Sequence, residues 1–461
     1  MSEIALPQRL TLLLDESPLN RVQRWLWVLS TGGTLLDGYA IFVLGVAMPI
    51  IIADFHIQPE VVGLIGASLV FGAVIGAGVG GPMADHLGRK KLMLADMIIV
   101  GAGASISALA NGPAMLFIGQ LLVGIGVGID FPVSSSYVSE ILPKRSRPRM
   151  MVATIACQSV GMLLAAVITL VLLRTGSAQV WRLFLATECG VALLFFVLRL
   201  SAPESPHWLV SRGKFTEAAQ AFIRIIPGQR QAVLQLTGSQ ENVATPVPHT
   251  DSGLSILFSR RYRARTALVT IPWFLMDIAT YGVGLFTPTI LGAIGISGRT
   301  RGLIAEDFAL GEGSALIDLF LLIGFLLGVW LVPRLGRIQM QVIGFTGMTV
   351  GMLVLVGAVG LTNSSLHIPL VFVGFILFNL LMNAGPNSTT FTLAPILFPT
   401  QLRATAGGFA AGVAKLGATL GVFLLPIVKE KFGVPSVLGI VSAVSLLGLV
   451  VTVILRREDT A

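Results

Sequence analysis

The chain has little charge, almost no cysteine and few tyrosines. Asp, Glu, Lys and Arg make up 12% of its 461 residues, about half the roughly 25% of a soluble domain. An ordinary water-soluble globule is excluded. The two cysteines, Cys157 and Cys189, both fall in apolar runs and give neither a disulfide framework nor metal-ligand spacing. No metal and no enzymatic centre are expected. The acids Asp15 and Glu16 precede the first apolar run and do not fit a cleavable signal peptide. The first span is expected to serve as the signal.

What remains is apolar. Hydrophobic residues make up 54% of the chain and the mean hydropathy is +0.86, which defines a polytopic membrane protein. The 52 glycines suit contacts in lipid, where small residues let helix backbones approach. A net charge of +8 could suggest nucleic acid, but the basic residues cluster on one side of the membrane instead. Arg89 to Lys91, Lys144 to Arg149, Arg199 and Arg260 to Arg265 fall on the expected cytoplasmic side. The outer loops keep only Arg174, Arg182, Arg299, Arg301, Lys429 and Lys431. This bias places both termini in the cytoplasm.

Hydropathy divides the chain into a cytoplasmic N-terminal segment (1–24), a six-helix half (25–200), a polar linker (201–265), a second six-helix half (266–455) and a short tail (456–461). Pro7 to Trp27 mixes apolar and basic residues at helical spacing and predicts a surface helix leading into span one. Thr216 to Ile226 predicts a short amphipathic helix within the linker. Two local echoes relate the halves: Asp37 and Pro49 in span one match Asp277 and Pro288 in span seven, and Pro143 and Arg147 recur as Pro399 and Arg403. Gly76, Gly78 and Gly81 fit a dinucleotide fingerprint, but no strand precedes them, so they predict close helix packing.

Acids inside the spans carry the chemistry. Asp130, after Gly124, Gly126 and Gly128, and the further acids Asp37 and Asp277 each cost roughly 2.5 to 3.5 kcal/mol near a bilayer centre, so such acids face partners or a water-filled cavity. Lys415 lies deep in span eleven. Glu188, in span six, is expected to be structurally paired, and Glu140 is expected to act as a latch beside Arg147.

Gly81 to Lys91 (GPMADHLGRKK) resembles the cytoplasmic loop signature of the major facilitator superfamily. That resemblance implies an all-α fold of twelve transmembrane helices in two pseudo-symmetric six-helix halves, with Asp85, Gly88 and Arg89 in a latch that also uses Glu140, Arg147 and Arg403. Pro333 to Arg337 echoes it with Pro333 in place of the acid. Pro203 to Leu209 (PESPHWL) resembles the sugar-porter and organic-ion branches, with His207 where arginine is usual.

A sharper resemblance is to the phosphate:proton symporter family, carried by Gly128 to Glu140, Trp273 to Phe286 (WFLMDIATYGVGLF) and Gly385 to Arg403 (GPNSTTFTLAPILFPTQLR). It implies a substrate site of Asp130, Gln158, Trp273, Asp277, Tyr281, Asn387 and Lys415, with proton coupling at Asp37 and Asp130. The family's second acid in span one is Ala40 here, the tyrosine after the span-four acid is Phe131, the arginine opening span four is Gln120, and the tenth-span glutamate is Ile396.

The expectation is therefore a proton-coupled symporter working by alternating access, with inorganic phosphate as the leading substrate and an organic ion or sugar-like metabolite as the alternative. An exporter of amphipathic compounds ranks below both. The expected setting is a monomer, multi-pass in the plasma membrane (the inner membrane of a bacterium), in contact with lipid, substrate and protons. Neither nucleic acid nor any cofactor beyond the proton gradient is expected.

Overall fold

The computed structural model describes residues 6–177, 179–238, 254–293, 303–361, 364–398 and 403–459. Among these, eleven helices are long and apolar enough to cross a membrane, and Leu319–Leu335 adds a shorter apolar helix. With it the chain forms the twelve-helix arrangement of the major facilitator fold.

Prolines and glycines set the helix starts. Spans two (Pro59–Leu87) and four (Pro113–Ile141) each open on a proline, where the missing N–H costs nothing. Spans three (Arg89–Ala108) and nine (Arg337–Val359) each follow a glycine in the left-handed region, Gly88 at φ 98° and Gly336 at φ 88°, a conformation that side chains resist. The echo of the loop signature in the second half is therefore also an echo of its backbone.

The predicted continuous helix into span one is broken. Leu6–Glu16 ends before Pro18, and Asn20 then opens Arg21–Ser30 by accepting from the Gln23 N–H at 2.9 Å. After Thr31 the chain continues as Gly32–Phe55. The break lets Gly33 lie against Asp130 of span four, where a Cβ would collide with the carboxylate.

Spans five (Arg147–Leu173) and six (Val180–Arg199) complete the first half. The second consists of seven (Arg263–Ala293), eight (Leu303–Leu335), nine, ten (His367–Met382, continuing through a wide turn at Asn383–Asn387 into Ser388–Leu397), eleven (Arg403–Phe432) and twelve (Val434–Leu455). Spans two and four pack backbone to backbone, with Gly72 and Gly76 on one and Gly124 and Gly128 on the other. Gly78 and Gly81 take no part in that seam: Gly78 faces open space and Gly81 only the edge of Pro132. The halves meet where span two packs on eleven, five on eight and one on seven. Near the outer ends of spans two and eleven Gly63 abuts the Phe423 carbonyl.

The linker forms Pro206–Ser211, Phe215–Ile225 and Arg230–Gly238. Phe222 and Ile225 bury themselves with Leu10 and Leu14 of the N-terminal helix in a cytoplasmic apolar cluster under the first half. The helix predicted over Thr216 to Ile226 is the second of these.

Candidate functional site

Helical spacing builds the site. On span seven, Trp273, Asp277 and Tyr281 lie four residues apart and share one helix face. Thr34 and Asp37 of span one, Gln158 of span five, Asn387 and Phe391 of span ten and Lys415 of span eleven face them around a central cavity between the halves. Because span seven rises from the cytoplasm at about 6 Å per four residues, Trp273 marks the inner end of the cavity and Tyr281 the outer.

The outer end is polar and joins the two halves at one atom. Asp37 Oδ2 accepts from Gln158 Nε2 at 2.9 Å and from the Tyr281 hydroxyl at 3.1 Å. Lys415 Nζ lies 3.9 Å from the same oxygen, 4.0 Å from the centre of the Tyr281 ring, and donates to its hydroxyl. Spans one and five thus hold spans seven and eleven through a carboxylate, an amide, a phenol and an ammonium. Asp277 is buried, and its Oδ2 has no hydrogen-bond partner among the described residues. A buried acceptor left open in this way is costly unless a ligand, a water or its own proton satisfies it.

The inner end is aromatic. Phe131 of span four lies 6.5 Å from Trp273 and 5.5 Å from Phe391, and Trp273 and Phe391 are 6.2 Å apart, mostly in edge-to-face geometry. All three line the cavity. Sequence reading noted Phe131 only as a departure and missed Phe391. Its position four residues after Asn387, on the same face, is the signal that could have found it.

Asp130 lies elsewhere. It does not line the cavity, so the substrate contact expected for it is absent from this arrangement. Its Oδ1 accepts from Arg199 Nη2 at 2.6 Å and from Ser134 at 2.8 Å. Arg199, counted from sequence as a cytoplasmic cation, is 1% exposed. It also reaches both oxygens of Asp96 on span three, at 3.1 and 3.0 Å, and the carbonyls of Leu29, Ser30 and Met93. Arg199 was misplaced because it closes span six, where hydropathy alone cannot distinguish a loop cation from a buried one. Asp96 was overlooked, although an acid within LMLADMIIV is a visible signal. With Asp130 paired to Arg199 outside the cavity, the cavity charge comes from Asp37, Asp277 and Lys415.

Two further expectations are corrected. Glu188 is fully buried, yet neither carboxyl oxygen has a partner among the described residues, so the expected structural pairing is absent. Glu140 pairs with Arg89 at 3.1 Å and accepts from Ser205, whereas Arg147 reaches past it to Asp15 at 2.5 Å. Glu204 caps span three instead, accepting from the Arg89 and Lys90 N–H groups at 2.8 and 3.1 Å, a carboxylate at the positive end of a helix dipole. Gly88 fits beside it because a Cβ would collide with that carboxylate. The side chains of Asp85 and Arg403, and Pro399 as a whole, lie outside the described residues.

Residues 25–458 match the family described as "Sugar (and other) transporter", and the chain belongs to it. It is a multi-pass membrane transporter of the major facilitator superfamily, not an enzyme. Among its relatives, the inner membrane metabolite transport protein YgcS of Escherichia coli K12 is 30% identical over 448 residues, 97% of this chain and 94% of that one. The probable inorganic phosphate transporter 1-6 of Arabidopsis thaliana is 27% identical over 92% of this chain and 83% of its own. In structure, the proton:xylose symporter XylE bound to 6-bromo-6-deoxy-D-glucose superposes with a TM-score of 0.74 at 21% identity, covering 93% of this chain and 94% of that one.

Proposed function

We propose that the chain is a proton-coupled symporter that moves a small anionic solute across the cell membrane by alternating access, inwards in a bacterial inner membrane. The supporting observation is the Asp37–Gln158–Tyr281–Lys415 network facing Asp277 across one cavity. With Asp37 and Asp277 ionised and Lys415 charged, the cavity is net negative by one unit and repels an anion. Protonating one acid makes it neutral; protonating both makes it net positive by one. A proton on Asp37 also removes its charge from Lys415 and weakens its hold on Gln158 Nε2, leaving both donors more open to the anion. Proton binding thus prepares the substrate site, and proton release on the far side discharges it.

In this reading Asp37 and Asp277 carry protons, and Lys415, Gln158 and Tyr281 hold the anionic group. Trp273 and Asn387 complete the wall. Asp130 supports the geometry through Arg199, while Gly88, Arg89 and Glu140 latch the cytoplasmic ends of spans two to four. Likeness to plant phosphate transporters makes inorganic phosphate the first substrate to test, and likeness to YgcS, a metabolite transport protein, supports the wider class of metabolites. The test is uptake of radiolabelled phosphate into proteoliposomes under an imposed inward proton gradient. Uncoupler-sensitive accumulation supports symport of phosphate; accumulation that ignores the uncoupler refutes proton coupling.

A further inference from the structure

The cavity is built from two unlike ends, and the symport reading uses only one of them. Lys415, Tyr281 and Gln158 form the polar end. At the other, Phe131, Trp273 and Phe391 present three ring faces and edges with no hydroxyl among them. Inorganic phosphate is polar on every side and gains nothing from such a wall. Its oxygens would lose water there with few donors beyond the Trp273 indole N–H and the Asn387 amide to replace it.

Phe131 is the telling residue. It comes from the first half while Trp273 and Phe391 come from the second, so the wall is completed only when the halves approach. A flat body lying on this wall would therefore touch both halves. Phe131 also directly follows Asp130, whose clamp by Arg199, together with the backbone contact of span four with span two, fixes its direction.

We infer that the transported solute is an organic anion with a ring or other flat apolar body, its carboxylate or phosphate group held by Lys415, Tyr281 and Gln158 and its body lying on Phe131, Trp273 and Phe391. This rests on the symport reading for the anionic end and adds the substrate class. An organic cation fits less well, because the ammonium of Lys415 occupies the polar end and the cavity is negative only when both acids are ionised.

The experiment measures equilibrium binding to the purified full chain at pH 6 for acetate, benzoate, inorganic phosphate, phenyl phosphate and benzyltrimethylammonium, and proteoliposome uptake of the membrane-impermeant phenyl phosphate. Benzoate should bind at least tenfold tighter than acetate, and phenyl phosphate at least tenfold tighter than phosphate. Phe391→Ala should erase the ring preference, lowering benzoate and phenyl phosphate affinity at least tenfold more than acetate and phosphate affinity, and Phe131→Tyr should reduce it severalfold. Equal affinity for ring-bearing and ring-free anions overturns the inference, as does preferred binding of benzyltrimethylammonium. So does a Phe391→Ala variant that weakens every anion alike, since that marks a packing role. If the ring preference holds but phenyl phosphate uptake ignores an uncoupler, proton coupling fails and the substrate class stands. If phosphate accumulates with uncoupler sensitivity and no ring preference appears, the reverse is true.

Discussion

Arg199→Met removes the cation of the Asp96–Arg199–Asp130 cluster while keeping a side chain of similar length. In the native chain the guanidinium is 1% exposed and bonds both carboxylates at 2.6 to 3.1 Å, besides three backbone carbonyls. After the change Asp96 keeps the Met97 N–H and Asp130 keeps the Ser134 hydroxyl, and the cluster has lost its only cation. Breaking a buried ion pair from one side costs about 3 to 5 kcal/mol, because the partner charge is stranded. Replacing all the charges together is often near neutral. The triple variant Asp96→Asn, Asp130→Asn, Arg199→Met should therefore recover at least half of the loss, the remainder reflecting the orphaned carbonyls of Leu29, Ser30 and Met93. The assay is SDS-induced unfolding in mixed micelles, followed by tryptophan fluorescence. If Arg199→Met unfolds within about 1 kcal/mol of the native chain, or the triple variant is worse than the single one, the clamp does not hold the first half together and Asp130 is free for another role.

Other outcomes follow from the same geometry. Asp37→Asn should abolish proton-driven accumulation yet leave counterflow exchange measurable in proteoliposomes, since Asn keeps an acceptor for Gln158 and Tyr281; equal loss of both would make Asp37 a binding or folding residue. Asp277→Ala removes an acid whose ionised form repels the anion and should flatten the pH dependence of substrate affinity, read by calorimetry on purified protein at pH 6 and pH 8; an unchanged pH dependence would remove Asp277 from proton coupling. Gly33→Ala should destabilise by about 1 to 3 kcal/mol through overpacking against Asp130, measured by the same SDS titration; a neutral result would mean that span one yields at its break. His207, below the Phe222 ring and 3.2 Å from the Thr11 hydroxyl, has its pKa lowered from 6.5 chiefly by burial and by Arg147, against the opposing pull of Glu140 and Asp15. Above pH 6.5 the ring is neutral whether the region is folded or not. As pH falls below 6.5 the unfolded form takes up the proton first, so stability is lost progressively down to the folded-state pKa. Hydrogen exchange across Leu6–Glu16 should therefore quicken between pH 7.5 and 5.5 after correction for the intrinsic rate, and His207→Gln should flatten that dependence.

Much of the site was legible because a helix converts spacing into direction. Trp273, Asp277 and Tyr281 at intervals of four must share a face, and an acid in an apolar span must face something other than lipid. The membrane-crossing helices were equally plain, because lipid imposes its length and polarity on every crossing segment. What escaped were relations between segments. Glu140 and Arg147 are close in sequence, yet Arg147 pairs with Asp15 and Glu140 with Arg89. Hydropathy puts Arg199 at the membrane edge, and only packing against spans one, three and four explains why it can be dry.

The sequence by itself determined the membrane class, the twelve crossings and the ionisable residues within them, since each follows from a local pattern read against the bilayer. Tertiary structure alone decided which acids share the cavity. Asp37 of the first half shares one cavity with Asp277 and Lys415 of the second, while Asp130, also an acid within a span, is claimed by an arginine 69 residues away. A buried charge goes to the nearest partner that can desolvate with it, and that partner is set by helix packing.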